Sequence, residues 1–234
     1  MGLPKVDMPL FKATIPSTNQ DIKFRPFTVK EEKNLLIAQE SGDWDTIILS
    51  LQQLLNNCIV DDIDVESLAM FDIEFLMLQI RAKSINNVIE FRIKDPVTND
   101  PIDLEFNIDK LDITYPEKNY KTIHVTDDYI LQLRYPSIKE MYMAKSLREN
   151  NVETLFNMMI ACIESVVNGD QIYKLSDFTD KDVIDFVDDL PKLAIDKLKD
   201  FFENMPKVTY NAEWETPEGE KRSVPLEGLE NFFI

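Results

Sequence analysis

Lys23-Phe24-Arg25-Pro26-Phe27-Thr28-Val29-Lys30-Glu31 and Gln132-Leu133-Arg134-Tyr135-Pro136-Ser137-Ile138-Lys139-Glu140 align without a gap, at an offset of 109 positions in a chain of 234 residues. In each stretch an alternating strand ends on Arg, passes a Pro and reaches a hydroxyl residue followed three positions later by Glu. That last spacing is a capping box: the hydroxyl and the Glu each satisfy a backbone N–H that the first helical turn leaves without a partner. A second alignment, Asp45-Thr46-Ile47-Ile48 with Glu153-Thr154-Leu155-Phe156, follows at nearly the same offset. The pattern predicts an α+β chain with an internal duplication of a strand, helices and β-hairpin unit.

Working outward, the apolar spacing sets the elements. Residues 1–20 carry Pro4, Pro9 and Pro16 and read as an extended N-terminal arm. The first repeat is expected over 21–115. Its helices run from Thr28 to about Gln39, closed by Gly42, and over Asp43–Asn57, where Trp44, Ile47, Ile48, Leu51, Leu54 and Leu55 recur at three-and-four spacing. A short and a longer helix follow over 65–84. Val88–Ile93 and Ile102–Ile108 read as a hairpin around a loop rich in turn formers, with Leu111–Tyr115 and Lys121–Val125 extending its sheet.

The second repeat is expected over 116–234. Ser137 opens a helix to about Arg148, and Asn151 opens another whose apolar band runs through Leu155, Met159, Cys162, Ile163 and Val166 to a stop at Gly169. Two helices, Thr179–Asp189 and Pro191–Asn204, precede a hairpin of Tyr210–Trp214 and Arg222–Leu226. An apolar tail with Leu229, Phe232, Phe233 and Ile234 ends the chain.

Charge narrows the function classes. Lys and Arg number 25 against 43 Asp and Glu, a net charge of -18, which opposes binding to a phosphate backbone or an anionic lipid surface. No nucleic-acid or membrane partner is expected. The start Met-Gly-Leu-Pro-Lys lacks an apolar secretory core, and no apolar run is long enough to span a bilayer. Cys58 and Cys162 sit in apolar helical contexts and read as buried thiols.

Reactive groups are sparse. His124 is the only histidine, in an alternating strand, so neither a Ser-His-Asp arrangement nor a zinc site has its usual ligands. The acidic run at Asp61, Asp62, Asp64 and Glu66 lacks the glycine of a calcium loop. With five glycines in the chain, no phosphate loop, dinucleotide fingerprint or nucleophile elbow is present. No catalytic residue, cofactor or metal is expected.

Candidate partner-binding residues are Met8, Leu10 and Phe11 on the arm, Arg25 with Phe27, Arg134 with Tyr135, and Phe232 with Phe233 in the tail. Each has an internal alternative. The arm can add a strand to another chain or cover this chain's own edge. Each Arg can stack on a ring and meet a partner's carboxylate, or tie its strand to an acidic helix of its own repeat. The tail can dock internally or insert into a partner.

The run Ile22-Lys23-Phe24-Arg25-Pro26-Phe27-Thr28-Val29-Lys30-Glu31-Glu32-Lys33, the later Phe201-Phe202-Glu203-Asn204-Met205-Pro206-Lys207 and the terminal Leu226-Glu227-Gly228-Leu229-Glu230-Asn231-Phe232-Phe233 together resemble, in order, the T-even-like phage baseplate hub subunit and hub-assembly family. The resemblance implies a non-enzymatic part in contractile-tail morphogenesis, synthesis in the host cytoplasm and a place at the virion baseplate. It also implies other hub or tail proteins as partners, met as an oligomer or composite assembly. Members often carry Cys-x-x-Cys at the two hairpins, as in zinc ribbons. Here the turns Asp95 to Pro101 and Pro217 to Glu220 hold no cysteine, so turn chemistry must secure them without metal ligands. A different reading of the same acidity is a host-directed modulator that binds a basic protein. A third is a hydrolase using clustered carboxylates.

Overall fold

Helix signals in this chain act where the local chemistry is strongest. Thr28 and Glu31 cap each other's backbone N–H groups at the start of a helix that runs over Val29–Ser41, and Gly42 ends it in the left-handed region at φ 63°. Asp43 then caps the next helix by accepting from the Thr46 N–H. The structure, a computed structural model, describes residues 6–118, 120–138, 140, 152–216 and 219–227.

In chain order the first elements are β1 (Phe11–Thr14), β2 (Asp21–Phe24), α1 (Val29–Ser41), α2 (Trp44–Cys58), α3 (Met70–Ser84), β3 (Val88–Lys94), β4 (Pro101–Asn107) and β5 (Asp112–Thr114). Next come β6 (Thr122–His124), β7 (Tyr129–Leu133), α4 (Val152–Ala161), β8 (Ile163–Asn168), β9 (Gln171–Lys174), α5 (Asp180–Asp188) and α6 (Lys192–Glu203). The last are β10 (Lys207–Glu215) and β11 (Lys221–Glu227). This is a mixed helix and strand protein whose small sheets are all antiparallel.

The chain divides into two units, one of residues 1–114 with 207–234 and one of residues 115–206. The boundaries fall between Thr114 and Tyr115 and between Pro206 and Lys207. Residues 207–227, expected in the second repeat, belong to the first unit, because β10 pairs with β5 through Val208↔Ile113 and with β11 along its length.

In the first unit the arm, which could add to another chain or cover this chain's own edge, folds back on its own strand. β1 pairs with β2 from Phe11↔Phe24 to Thr14↔Asp21, and the Phe11 and Phe24 rings lie 5.9 Å apart. The turn between these strands has a twin. Ile15 N–H donates to Gln20 O and Asn19 N–H to Ile15 O; likewise Asp95 N–H donates to Asp100 O and Asn99 N–H to Asp95 O, all at 2.8 Å. Asn19 and Asn99 both sit at positive φ, which Asn tolerates better than most residues. Pro-x-Thr-Asn, at 16–19 and 96–99, is the sequence behind both turns.

Asp72, fully buried in α3, accepts from the N–H groups of Ser17 and Ala69 and so ties the first turn to the helix start. Burial pushes its carboxyl above the ordinary value despite these bonds. Ile22, Phe24, Leu54, Leu55, Ile73, Leu76 and Met77 are buried in this unit. Each such side chain contributes about 1.5–3 kcal/mol from leaving water.

The expected hairpin β3–β4 forms, paired from Val88↔Asn107 to Lys94↔Pro101. Residues 111–115 and 121–125 do not extend it: β5 joins β10, and β6 joins β7 in the other unit. Phe106 links the hairpins, its ring 5.9 Å from Phe91 and 4.7 Å from Tyr210. Asp95 Oδ2 accepts from Arg222 Nη1 at 2.7 Å, and Arg222 Nη2 donates to Glu220 at 2.8 Å, so one guanidinium joins both turns. The Thr98 and Val97 N–H groups bind Asp95 Oδ1.

The second unit is built on a four-stranded sheet in the order β6-β7-β8-β9. Here the expected helix from Asn151 through Val166 is corrected. It ends at Ala161, and Ile163–Asn168 is a strand that turns through Gly169 and Asp170 into β9. The β-branched Ile163, Val166 and Val167 followed by Asn168-Gly169 are a strand and tight-turn signal, and pairing of β8 with β7 overrides the helical spacing. Ile123, Leu131, Leu133, Met159, Val166, Val187, Leu198 and Phe201 form this unit's buried core. The helix expected to run from Ser137 to Arg148 and the apolar tail 228–234 lie mostly or wholly outside the described residues.

Candidate protein-binding site

The two aligned motifs adopt the same local arrangement, and it closes on itself. Arg25 N–H donates to Cys58 O at 2.9 Å while its guanidinium forks onto Glu31, Nη2 to Oε1 at 2.7 Å and Nη1 to Oε2 at 3.0 Å. Glu31 Oε2 also accepts the Thr28 N–H at 2.7 Å. In the second unit Arg134 N–H donates to Cys162 O at 2.9 Å, Nη2 meets Glu140 Oε1 at 2.7 Å, and Ser137 N–H meets Glu140 Oε2 at 2.7 Å. The Ser137 hydroxyl bonds the same carboxylate. The backbone context repeats as well: Phe24 bridges Ile59, and Leu133 pairs with Ile163.

The electrostatics follow from this geometry. The Arg25 hydrogen bond outweighs burial and, with the Thr28 groups, holds Glu31 down at about 2. Burial pushes Glu140 up, yet Arg134 and Ser137 together hold it at about 2 as well. Cys58 and Cys162 are both pushed up to about 12, chiefly by burial, so proximity to an arginine does not activate them. Sequence reading missed this Cys-Ile correspondence, 58–59 with 162–163, although the dipeptide stands in the sequence.

Of the candidate partner-facing residues, Arg25 and Arg134 each pair with a carboxylate of their own unit. The cation over Tyr135 is Lys121, 4.9 Å from the ring centroid, and Tyr135 stacks on Phe201 at 5.7 Å. Phe27 is half-buried, its N–H bound to Ser84 Oγ. Phe11 is half-buried under Lys83, Met8 is half-buried, and Leu10 is exposed. Phe232 and Phe233 lie outside the described residues.

A different apolar site appears in the second unit. A cavity of about 340 Å³ opens between the β8–β9 end of the sheet and α5, lined by Tyr129, Val166, Tyr173, Leu175, Phe178 and Phe186, with Asp182 and Val183 on the helix side. Tyr129, Tyr173 and Phe178 keep 37%, 38% and 47% of their surface exposed, unusual for rings that face a core. Thr179 caps α5 through Asp182 and so fixes the helix start against the cavity mouth. The sequence pattern points to none of these residues as a site, because it reads Val166 as part of a helix and assigns no strand to Gln171–Lys174. His124, exposed on β6, accepts at its carbonyl from Lys197 Nζ at 2.7 Å.

Among the described residues no group of three or more His, Cys, Asp or Glu side chains is arranged to hold a metal ion, and no helix is long and apolar enough to cross a membrane. The family model described as T4 bacteriophage base plate protein matches residues 8–234 of the chain. No curated protein and no solved structure matches it significantly.

Proposed function

Because the chain belongs to the T4 bacteriophage base plate protein family, we propose that it serves tail morphogenesis through protein contacts alone, as a hub component or as a factor that assists hub assembly and leaves. The observation that carries this reading is the family match across nearly the whole chain. The chemistry of the described residues supports it: Arg25 and Arg134 are held by internal carboxylates, Cys58 and Cys162 are buried, and the rings of Tyr129, Tyr173 and Phe178 are exposed on the second unit. The twice-occurring Arg, hydroxyl cap, Glu and Cys arrangement supports descent by internal duplication. Descent of the hairpins from zinc ribbons is the companion proposal, with Arg222 between Asp95 and Glu220 holding the turns.

Mass spectrometry of purified virions tests the role. Stoichiometric presence in the particle establishes a hub component; absence from the particle together with a tail defect when the gene is deleted establishes an assembly factor. Intact, infectious tails from the deletion, with the protein absent from them, would sink both.

A further inference from the structure

We propose that the outer edge of β9 and the adjoining aromatic cavity take an extended segment of another base plate protein, an apolar side chain flanked by Lys or Arg, by strand addition. This inference rests on the family role above and adds the site and the chemistry of its occupant. β9 is the last strand of its sheet, all four of its residues are exposed, and among the described residues nothing pairs with its outer side. The Asn168↔Gln171 pair closes the two-residue turn, so Gln171 and Tyr173 direct their N–H and C=O groups to β8. Ile172 and Lys174, in the alternate positions, direct theirs outward. An exposed edge of this kind is a template for another strand.

The side-chain placement fits the same occupant. Tyr173 lies opposite Val166 on the core-facing side of the sheet, so alternate side chains of an added strand would enter the cavity beside Tyr173 and Phe178. The intervening side chains would cover Ile172, which is 68% exposed on the other side. Charge selects the partner. Between residues 170 and 189 seven aspartates stand against two lysines, and Asp177, Asp180, Asp182 and Asp185 are all exposed beside the cavity-lining segment. A second copy, itself at net charge -18, is disfavoured, whereas a basic flank is attracted.

The test uses the full-length protein with a photo-crosslinking residue at Tyr173, expressed during infection, and the cross-linked peptide sequenced. The expected product is one segment of a tail protein with Lys or Arg around an apolar residue. The purified tail protein so identified is then titrated against wild type and against Ile172→Pro, which removes an outward N–H while leaving the bonds to β8 intact. Affinity should fall about tenfold or more, with the melting curve unchanged, and weaken with salt. If Ile172→Pro itself loses the fold, Phe178→Glu serves as the second variant with the same expected loss. Binding unaffected by the variants, or cross-links only to a second copy or to an acidic segment, would overturn the site while leaving the base plate role standing. No association of the wild type with any tail protein would overturn the role as well.

Discussion

Replacing Glu31 by Gln breaks the ionic fork of the first Arg and cap arrangement, because Gln keeps one acceptor for the Thr28 N–H but puts an NH2 donor where Oε1 accepts from Arg25 Nη2. A carboxyl held at about 2 instead of 4.5 corresponds to at most ~3 kcal/mol of folding free energy. Arg25 remains a quarter exposed and Glu31 a tenth, so solvent screening reduces the expected loss at neutral pH to ~1–2 kcal/mol. In the second unit Arg134 is 39% exposed, and Glu140→Gln should cost less, ~1 kcal/mol. The pH dependence has a definite sign. The folded value is depressed, so the stabilisation is fully present above 4.5 and is lost as pH falls through about 2. The gap between wild type and Glu31→Gln should therefore be constant near neutrality and close across that window. Urea unfolding reads it directly: Trp44 and Trp214 both fall in the first unit, so their fluorescence follows the unit that holds Glu31. A gap below ~0.5 kcal/mol at neutral pH, or one that stays open as the carboxyl protonates, would refute the assignment of this pair as a net stabilising contact.

Native Cys58 and Cys162 should resist a thiol reagent at mildly alkaline pH and both react once the chain is unfolded in urea; rapid native labelling of either would contradict a thiol pushed to about 12. Gly169, at φ 57°, should lose ~1 kcal/mol on replacement by Ala and less on replacement by Asn, since Asn19 and Asn99 hold similar angles; equal melting temperatures for the Ala and Asn variants would count against this. Phe201→Ala should destabilise the second unit by ~3–5 kcal/mol, seen as loss of protection at Cys162 before the tryptophan signal changes, because the ring is buried and stacks on Tyr135. Simultaneous loss of both signals would mean that the units do not unfold separately.

Helix starts were legible from residues alone because they depend on groups three positions apart. Thr28 with Glu31, Asp43 with Thr46 and Thr179 with Asp182 cap as their spacing says, and Gly42 closes α1 in the left-handed region. The hairpin β3–β4 was equally legible, since turn formers separate two alternating runs. The strand at Ile163–Asn168 was not: its apolar residues also satisfy a helical period, and only pairing with Leu131 and Leu133 across the sheet decides between them. The cavity beside Phe178 was hidden for the same reason, because it exists only once β9 lies along β8.

The sequence alone therefore determined the local units, down to the twin Arg and Glu arrangement, since capping and turn bonds are made between neighbours in the chain. Tertiary structure decided which unit receives the last hairpin. It also left the edge of β9 open. Those outcomes depend on contacts such as Val208 with Ile113 and Asp95 with Arg222, separated by about a hundred residues or more, and no local spacing encodes them.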